Sequence, residues 1–494
     1  MFLLGIDLGT SSIKASIVDA VTKKEIASAQ YPDIEVEISS PQAGWAEQSP
    51  ELWWHNTQEA IKRVVAKGGF DAKKVGAIGI SYQMHGLVML DKQGQVLRPS
   101  IIWCDSRAVE YGETAFQKIG EEKALNHLLN SPGNFTAAKL AWVKANEPEI
   151  FEKCDKIMLP GDYIGFMMSG NLTTSNSGLS EGVFWDFKTN TLSEDILAAF
   201  GFDASIIPNI QPVFSNHGEL SSDVAETLGL AAGTPIAYKA GDQPNNALSL
   251  NVVNPGEIAA TAGTSGVVYA VSDQVACDPQ SRINSFAHVN HQMDELNRIG
   301  ILLCINGTGI LNRWVKENFA HGVSYQEMNQ RAAKINVGAD GLSILPFGNG
   351  AERMLGNKIM GAQIQDLDFN KHTQYHVFRA AQEGIAFSLK YGFDMMLGLG
   401  VVPNVIRAGH ANMFLSEVFT NAVVNATQLP VEMYDTHGAK GAALGGGVGA
   451  GIFKSIKEAM DGLTLLKVVE PDIKQKDQYA NAYANWETKL NSFL

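Results

Sequence analysis

The chain has 494 residues, of which 45% are hydrophobic and 18% are charged, and this length exceeds what one ordinary core accommodates. Its formal net charge is −14 without a block of like charges, which argues against nucleic acid or a membrane surface as a partner. The 4 cysteines form no Cys-x-x-Cys pair, and no basic leader or membrane-length apolar stretch occurs. The sequence therefore predicts a cytoplasmic protein with buried, reduced thiols.

The first half is predicted to begin with a meander and to continue as alternating strands and helices. Ser49 as N-cap and Pro50 at the first helical position predict the start of an amphipathic helix. The predicted strands cover residues 2–6, 13–18, 24–30, 75–81, 87–90, 156–159 and 235–240, and the helical patterns cover residues 50–65 and 108–147.

The second half repeats this order. A second meander starts near Gly256, and the later elements are a strand at 404–408, a helix at 414–425 and a Gly-Ala-rich helix at 438–451. We therefore predict an α/β fold with a mixed sheet in each domain and a cleft between the domains. The predicted domains are residues 1–249 and 250–494, with the break near Asn254-Pro255-Gly256.

One short segment occurs once in each half and leads into an extended run that ends in Asp. The two copies begin at residues 9 and 263, a constant offset of 254 that also separates Asp19 from Asp273. A turn of small residues exposes backbone N–H groups and hydroxyls, which suit phosphate oxygens. Two unrelated hairpin turns are the alternative, because these residues are common in turns. The segments read Gly9-Thr10-Ser11 and Gly263-Thr264-Ser265.

Two aspartates stand beside predicted strand ends. Asp7 precedes the first Gly-Thr-Ser turn and could hold Mg²⁺ against phosphates, although a turn-capping role is the alternative. Asp242 ends an apolar strand before a helix with Pro244 in its first turn, so an N-cap role is again the alternative. The proline makes Gln243 the expected cap, and the Asp242 carboxylate could then accept a proton from an attacking hydroxyl.

Two further segments follow short strands in the first half. The segment from Gln83 to Gly86 contains a carboxamide and an imidazole that could bind sugar hydroxyls, although a lone histidine is usually structural. Trp103 offers an aromatic platform beside Asp105 and Arg107, which could equally form a surface ion pair of little consequence. A P-loop is absent, and the loose dinucleotide pattern near Gly445 lacks its preceding strand.

Taken together, the motifs resemble the FGGY family of carbohydrate kinases over nearly the whole chain. Each motif is weak alone, but their order and spacing are specific. They read Gly5-Ile6-Asp7-Leu8-Gly9-Thr10-Ser11, Trp45-Ala46-Glu47-Gln48, Pro50-Glu51-Leu52-Trp53-Trp54, Gln83-Met84-His85-Gly86, Arg98-Pro99-Ser100-Ile101-Ile102-Trp103, Gly241-Asp242, Thr261-Ala262-Gly263-Thr264-Ser265-Gly266 and the segment at 438–451.

The resemblance implies two actin-like ATPase (ribonuclease H-like) domains around a cleft, with ATP as donor, Mg²⁺ as cofactor and a homodimer as the expected assembly. It implies phosphorylation of a ketopentose, D-xylulose first, with Asp242 as the general base and Asp7 and Asp242 at the metal. The implied sugar-binding residues are Gln83, Met84, His85, Trp103, Asp105, Arg107, Asp242 and Gln243. The implied nucleotide-binding residues are Gly9, Thr10, Ser11, Ser12, Gly263, Thr264, Ser265, Gly309, Gly409, His410 and Asn412.

Three departures from the family pattern leave alternatives open. Gln243 stands where xylulose kinases carry Asn, His410 stands where Gly is usual, and the Glu-Arg-Thr-Pro stretch reads Glu352-Arg353-Met354-Leu355. A kinase for ribulose, gluconate, fuculose or glycerol is therefore a second hypothesis. An actin- or chaperone-like nucleotide switch without a sugar substrate is a third, against which the segments near Gln83 and Trp103 argue.

Overall fold

The computed structural model describes residues 1–292 and 295–494, which form two compact units. The first unit comprises Met1–Val253, Phe286–Ile299 and Thr436–Leu463. The second comprises Asn254–Ser285, Gly300–Asp435 and Thr464–Leu494. Each unit is therefore built from separate stretches of the chain.

The elements up to residue 253 alternate after an initial meander. The strands are β1 (Phe2–Leu8), β2 (Ile13–Asp19), β3 (Glu25–Tyr31), β4 (Glu47–Gln48), β5 (Val75–Tyr82), β6 (Val88–Leu90), β7 (Ser100–Ile101), β8 (Lys156–Met158), β9 (Thr173–Ser175), β10 (Trp185–Asp186), β11 (Thr191–Leu192), β12 (Asn209–Gln211) and β13 (Ile236–Gly241). The helices are α1 (Pro50–Ala66), α2 (Val109–Ile119), α3 (Glu121–Leu128), α4 (Thr136–Asn146), α5 (Pro148–Phe151), α6 (Pro160–Ser169), α7 (Asn176–Glu181), α8 (Glu194–Phe200), α9 (Ser222–Leu228) and α10 (Asp242–Ser249).

The elements after residue 253 also begin with paired strands and continue as strands and helices. The strands are β14 (Glu257–Ala262), β15 (Gly266–Ser272), β16 (Asn284–Ala287), β17 (Ile299–Ile305), β18 (Ser343–Leu345), β19 (Gln363–Gln365), β20 (Val405–Gly409), β21 (Val431–Tyr434) and β22 (Leu465–Val469). The helices are α11 (Gly309–Phe319), α12 (Tyr325–Ala332), α13 (Gln374–Leu397), α14 (Glu417–Thr427), α15 (Gly438–Gly449), α16 (Ile456–Met460) and α17 (Lys476–Asn491).

The central sheet of the first unit has the order β13-β5-β1-β2-β3. β1 pairs antiparallel with β2 and parallel with β5, and β13 pairs parallel with β5, so the sheet is mixed as predicted. Helix α1 packs on β2 and β3, and its N-cap is Ser49, whose side chain accepts from the Leu52 N–H as the sequence predicts. Apolar strand residues such as Ile6 and Ile80 are fully buried in this core.

The Gly-Ala-rich helix α15 lies against β1 and β5 at very short range. A Cβ atom on Gly5 would lie 1.8 Å from the Ala439 carbonyl oxygen, and one on Gly79 would lie 1.8 Å from that of Ala442. Only glycine lets the strand and helix backbones approach this closely. The predicted helix at 438–451 is thus confirmed, and its composition is explained by this packing.

The main sheet of the second unit has seven strands in the order β16-β17-β15-β14-β20-β21-β22. β14 pairs antiparallel with β15 and parallel with β20, so this sheet is mixed as well. The predicted second meander therefore forms around the second Gly-Thr-Ser segment, which is the turn between β14 and β15.

Two further observations concern the cysteines and the lengths of the apolar helices. The four cysteines are free, but Cys104 and Cys304 are exposed, so the prediction that all four are buried is wrong. Cys104 lies in the turn after β7, and Cys304 is an exposed residue within β17, which composition could not reveal. Across residues 1–292 and 295–494, we find no helix with the length and apolarity needed to cross a bilayer.

Candidate active site

The first Gly-Thr-Ser segment forms the turn between β1 and β2. The Gly9 N–H donates to the Ser12 carbonyl oxygen at 3.1 Å, and all four turn residues are partly exposed. The Thr10 hydroxyl donates to Gln83 Oε1 at 3.2 Å and accepts from Trp103 Nε1 at 3.0 Å. These bonds connect the predicted phosphate turn to the segments predicted to bind sugar.

Asp7 lies near the end of β1, where its neighbours across the sheet are Lys14 and Ser81. Burial raises the pKa of Asp7, and the Ser81 hydroxyl and the charges of His437 and Lys14 oppose this rise. A Cβ atom on Gly438, the first residue of α15, would lie 2.3 Å from Asp7 Oδ2. The glycine thus brings a helix N-terminus, which favours negative charge, against the carboxylate.

Asp242 follows β13 directly and is the first residue of α10. The N-cap is Gly241, so the prediction that Gln243 caps this helix is wrong: Pro244 is the third helical residue, where its missing N–H breaks no helical bond. Burial and then the negative charge of Asp7 raise the pKa of Asp242 to about 7, against hydrogen bonds from Gln243. A carboxylate with a pKa near neutrality suits proton transfer.

Met84 and His85 follow β5 and lie beside the end of β13. A Cβ atom on Gly241 would lie 2.6 Å from Met84 Cγ and 2.5 Å from Glu181 Oε2. The Lys139 ammonium donates to the His85 main-chain oxygen at 2.8 Å, and His85 Nδ1 lies 2.8 Å from the main-chain oxygen of Glu181. Glu181 and Lys139 are fully buried.

Neither of these two buried groups was identified from the sequence. Burial raises the pKa of the Glu181 carboxyl well above its usual value, and the charges of Asp242 and Asp162 add to this effect. Burial lowers the pKa of Lys139 to about 7, against the opposing charge of Asp105. The available signal was Lys139 itself, a charged residue within the otherwise apolar face of α4.

The other predicted sugar-binding residues differ in accessibility. The Gln83 amide is buried and bonded to neighbouring side chains. Arg107 Nη2 lies 2.7 Å from Asp105 Oδ2, and Arg107 Nη1 lies 2.7 Å from Glu47 Oε1. Because this cluster is buried, the alternative of a surface ion pair is wrong. Trp103, by contrast, is 48% exposed.

The second unit contains a cavity of about 860 Å³, a volume in the range of small-molecule sites. Residues from α12 and from the segment before α14 form much of its wall. Its lining includes four of the residues predicted to bind nucleotide, namely Gly263, Thr264, Gly309 and Asn412. The other three predicted in this unit are not among its lining residues, namely Ser265, Gly409 and His410.

The N-terminus of α11 packs directly on the second Gly-Thr-Ser turn. The Gly309 N–H donates to the Gly263 carbonyl oxygen at 2.9 Å, and the Ile310 N–H donates to that of Thr264 at 3.1 Å. A Cβ atom on Gly309 would lie 2.2 Å from the Gly263 oxygen. Gly309 therefore permits a close backbone contact that shapes this end of the cavity.

The divergent segment around Glu352 supports the chain that leads into α11. The Asn306 N–H donates to the Glu352 carboxylate, at 3.0 Å and 3.2 Å from its two oxygens. Burial raises the pKa of Glu352 to about 7, against hydrogen bonds from the N–H groups of Asn306 and Gly307. Arg353 Nε donates to the Ser281 carbonyl oxygen at 2.8 Å. The segment thus orders a loop next to the cavity.

The turn after β20 carries the remaining predicted nucleotide contacts. β20 ends at Gly409, and the exposed His410 donates its N–H to the Tyr434 carbonyl oxygen at 3.1 Å. Asn412 has a φ of +52° and places its side chain at the cavity wall. Asn412 Nδ2 would lie 3.6 Å from a Cβ atom on Gly263.

The donor chemistry of Asp7 and Asp242 fits Mg²⁺, which prefers carboxylate oxygens and water. Their mutual repulsion, which contributes to the raised pKa of Asp242, is what a divalent cation would neutralise. A second group of potential ligands is His127, Asp186 and Asp195, with ligand atoms within 4.8 Å of one another. These side chains already have partners, since His127 Nδ1 is hydrogen-bonded to Asp186 at 2.8 Å and Lys123 forms an ion pair with Asp195 at 2.7 Å.

Comparison with known proteins provides an independent test of the resemblance. The xylulose kinase of Bacillus subtilis (strain 168) is 30% identical over 471 residues, spanning 93% of this chain and 90% of that protein. The xylulose kinase of Escherichia coli (strain K12) is 29% identical and spans 99% of this chain and 97% of that protein. The structure of a xylulose kinase from Rhodospirillum rubrum superimposes with a TM-score of 0.88 at 24% identity, covering 100% of this chain and 99% of that one.

These similarities confirm the predicted fold class, because the structural likeness extends over both actin-like domains. They also confirm the predicted enzyme class, a carbohydrate kinase. Residues 2–249 match the N-terminal domain of the FGGY family of carbohydrate kinases. With half of the chain matched and a 30% identical relative along most of its length, the protein belongs to the FGGY family of carbohydrate kinases.

Proposed function

We propose that the protein transfers the γ-phosphoryl group of ATP to O5 of a ketopentose, with D-xylulose as the expected substrate. The observation that carries this proposal is the environment of Asp242. Asp242 directly follows the edge strand β13, its pKa is raised to about 7, and it lies one residue from Gly241, which contacts Met84. The names of the relatives support xylulose in particular.

Asp242 would act as the general base. It accepts the proton of the O5 hydroxyl while O5 forms a bond to the γ-phosphorus and the bond from phosphorus to the bridging oxygen of ADP breaks. Met84, His85 and Gln243 would hold the sugar in the orientation that this displacement needs. The base would work in a partly buried position, where its charge and hydrogen bonds act more strongly than in bulk water.

The nucleotide would occupy the cavity of the second unit. Gly263, Thr264 and Asn412 offer backbone and side-chain polar groups in its wall. The turn from Gly9 to Ser12 offers N–H groups and hydroxyls to phosphate oxygens. Asp7 and Asp242 would hold Mg²⁺, which would neutralise charge on the transferring phosphoryl group.

A panel of purified substrates tests the identity of the sugar. D-Xylulose is expected to give a kcat/KM at least ~10-fold above ribulose, gluconate, fuculose and glycerol, because one misplaced hydroxyl leaves a buried polar group unpaired. Coupled detection of ADP measures each rate, and Gln243→Asn serves as the companion variant. Its shorter carboxamide restores the residue usual in xylulose kinases and should retain activity on D-xylulose.

Two results would contradict this assignment. A higher kcat/KM on another sugar or polyol would support the kinase activity but identify that compound, not D-xylulose, as the substrate. ATP hydrolysis that no sugar or polyol changes would favour the nucleotide switch instead.

The pH dependence of kcat/KM tests the base. Asp242 must be ionised to accept a proton, so kcat/KM is expected to fall as the pH drops through about 7. Asp7→Asn removes a negative neighbour of Asp242 and should move the midpoint of the residual activity to lower pH. A midpoint near the usual value for aspartate, or a shift of the Asp7→Asn profile to higher pH, would contradict the assignment.

A further inference from the structure

His85 has an unusual backbone conformation for its residue type. Its φ is +63°, in the left-handed region that side chains other than glycine disfavour. Such a residue keeps this conformation only where its surroundings hold it there. The aromatic rings of Phe135 and Phe286 contact the imidazole, with ring centroids at 4.9 Å and 5.5 Å.

Two buried polar residues converge on His85. Lys139 Nζ donates to its main-chain oxygen at 2.8 Å. The His85 main-chain N–H bonds to the Glu181 carboxyl group, and the main-chain oxygen of Glu181 lies 2.8 Å from His85 Nδ1. Because a carbonyl oxygen can only accept, Nδ1 carries the hydrogen atom. In the neutral form of the ring, Nε2 is then the unprotonated nitrogen.

We propose that Glu181 and Lys139 are positioning residues of the sugar site, which hold His85 in its left-handed conformation and as the Nδ1–H tautomer. In this tautomer Nε2 is an acceptor for a sugar hydroxyl. This inference rests on the proposed function, in which His85 contacts the ketose. Glu181 and Lys139 themselves touch no reacting atom, and their proposed effect on the sugar is transmitted through His85.

The packing around Glu181 supports its role in positioning His85. Its carboxyl group lies against Gly241, where any side chain would collide with Glu181 Oε2 and Met84 Cγ. A buried carboxyl group and a buried ammonium group are unfavourable in an apolar core unless they make specific bonds. Here both make such bonds to the two ends of one residue, His85.

The test compares variants that remove these bonds with variants that keep them. Glu181→Leu and Lys139→Met are expected to raise KM for the sugar at least ~10-fold, with KM for ATP unchanged and a smaller effect on kcat. Glu181→Gln keeps an acceptor for the His85 N–H and should restore sugar KM toward the wild-type value. Where Lys139→Met does not fold, Lys139→Gln keeps a shorter donor and should give an intermediate rise.

A matched control comes from the opposite end of the same sheet. The Thr234 hydroxyl is buried and donates to the Ala231 carbonyl oxygen at 2.8 Å, near Val75 at the start of β5, whereas His85 follows the end of β5. Thr234→Val should therefore leave sugar KM unchanged. An equal rise in Thr234→Val would show general loosening of the unit and would overturn the proposal.

The tautomer provides a second readout that needs no turnover. Nitrogen-15 spectra of histidine-labelled protein, with the His85 signals assigned from His85→Asn, should show protonation at Nδ1 in the wild type. Glu181→Leu and Lys139→Met both keep the Glu181 main-chain oxygen but release the His85 backbone from the conformation that places Nδ1 against it, so both should show a mixture of tautomers. Unchanged sugar KM or an unchanged tautomer in both variants would overturn the proposal. If no sugar is phosphorylated at all, the proposed function fails. The spectra still test whether Glu181 and Lys139 fix the conformation and tautomer of His85.

Discussion

Asp242→Asn is expected to lower kcat for sugar phosphorylation by about 10²- to 10⁴-fold, the range for loss of a general base. Asparagine preserves the size of the side chain but does not take the hydroxyl proton. Nucleotide binding, measured by titration with ATP, should remain largely intact, because the proposed nucleotide cavity belongs to the second unit. Near-normal turnover of this variant would contradict the role of Asp242.

The same variant should also be more stable than the wild type at pH 8. The pKa of Asp242 rises from 3.8 to about 7 on folding, so between these values the native state holds a proton that the unfolded state has lost. Stability therefore falls as the pH rises through this window, and the neutral asparagine avoids that loss. We expect Tm to rise by ~2–4 °C at pH 8 but not near pH 3.5. A lower Tm at pH 8 would show that burial of this carboxylate is not a cost to folding.

Gly79→Ala is expected to lower the free energy of unfolding by at least ~3 kcal/mol, or to prevent folding altogether. The added methyl group would lie 1.8 Å from the Ala442 carbonyl oxygen and 3.1 Å from the Gly446 nitrogen. Both are backbone atoms of α15, so no side chain can move aside, and the helix must lift from the sheet. Chemical denaturation followed by circular dichroism measures the loss.

Gly398→Ala is the matched control. Gly398 has an ordinary helical φ of −62°, and its nearest atom would be the Met395 oxygen at 3.2 Å. The free energy of unfolding of the Gly398→Ala variant should therefore stay close to that of the wild type. Similar losses in both variants would mean that the close approach of α15 is not what Gly79 provides.

Local signals allowed much of the fold to be predicted. Three elements are recognisable from a few neighbouring residues each: the paired strands β1 and β2 on either side of a Gly-Thr-Ser turn, the start of α1 at Ser49 and Pro50, and the Gly-Ala-rich helix α15. The candidate site was predicted where a polar residue ends an apolar strand, as Asp242 does. Such residues are recognisable because a strand interior rarely ends on an unpaired carboxylate.

Long-range contacts explain what the sequence did not reveal. Glu181 meets His85 across 96 positions, and no pattern near either residue indicates their contact. Arg107 could be identified as charged but not as buried, because its burial depends on Glu47, which comes from a distant segment. Whether the two halves bind sugar and nucleotide as assigned remains a prediction.

The first unit is assembled from chain segments that are separated by parts of the second unit, and this order affects how it folds during synthesis. Helix α15 covers β1, β5 and β13, yet it is encoded almost 200 positions after β13 ends. A nascent chain leaving the ribosome therefore presents one apolar face of its first sheet throughout the synthesis of most of the second unit. Exposed apolar surface of this kind favours aggregation, and it stays exposed until residue 449 has emerged. A fragment ending at residue 249 would keep it uncovered, so the N-terminal half is a poor choice for expression by itself.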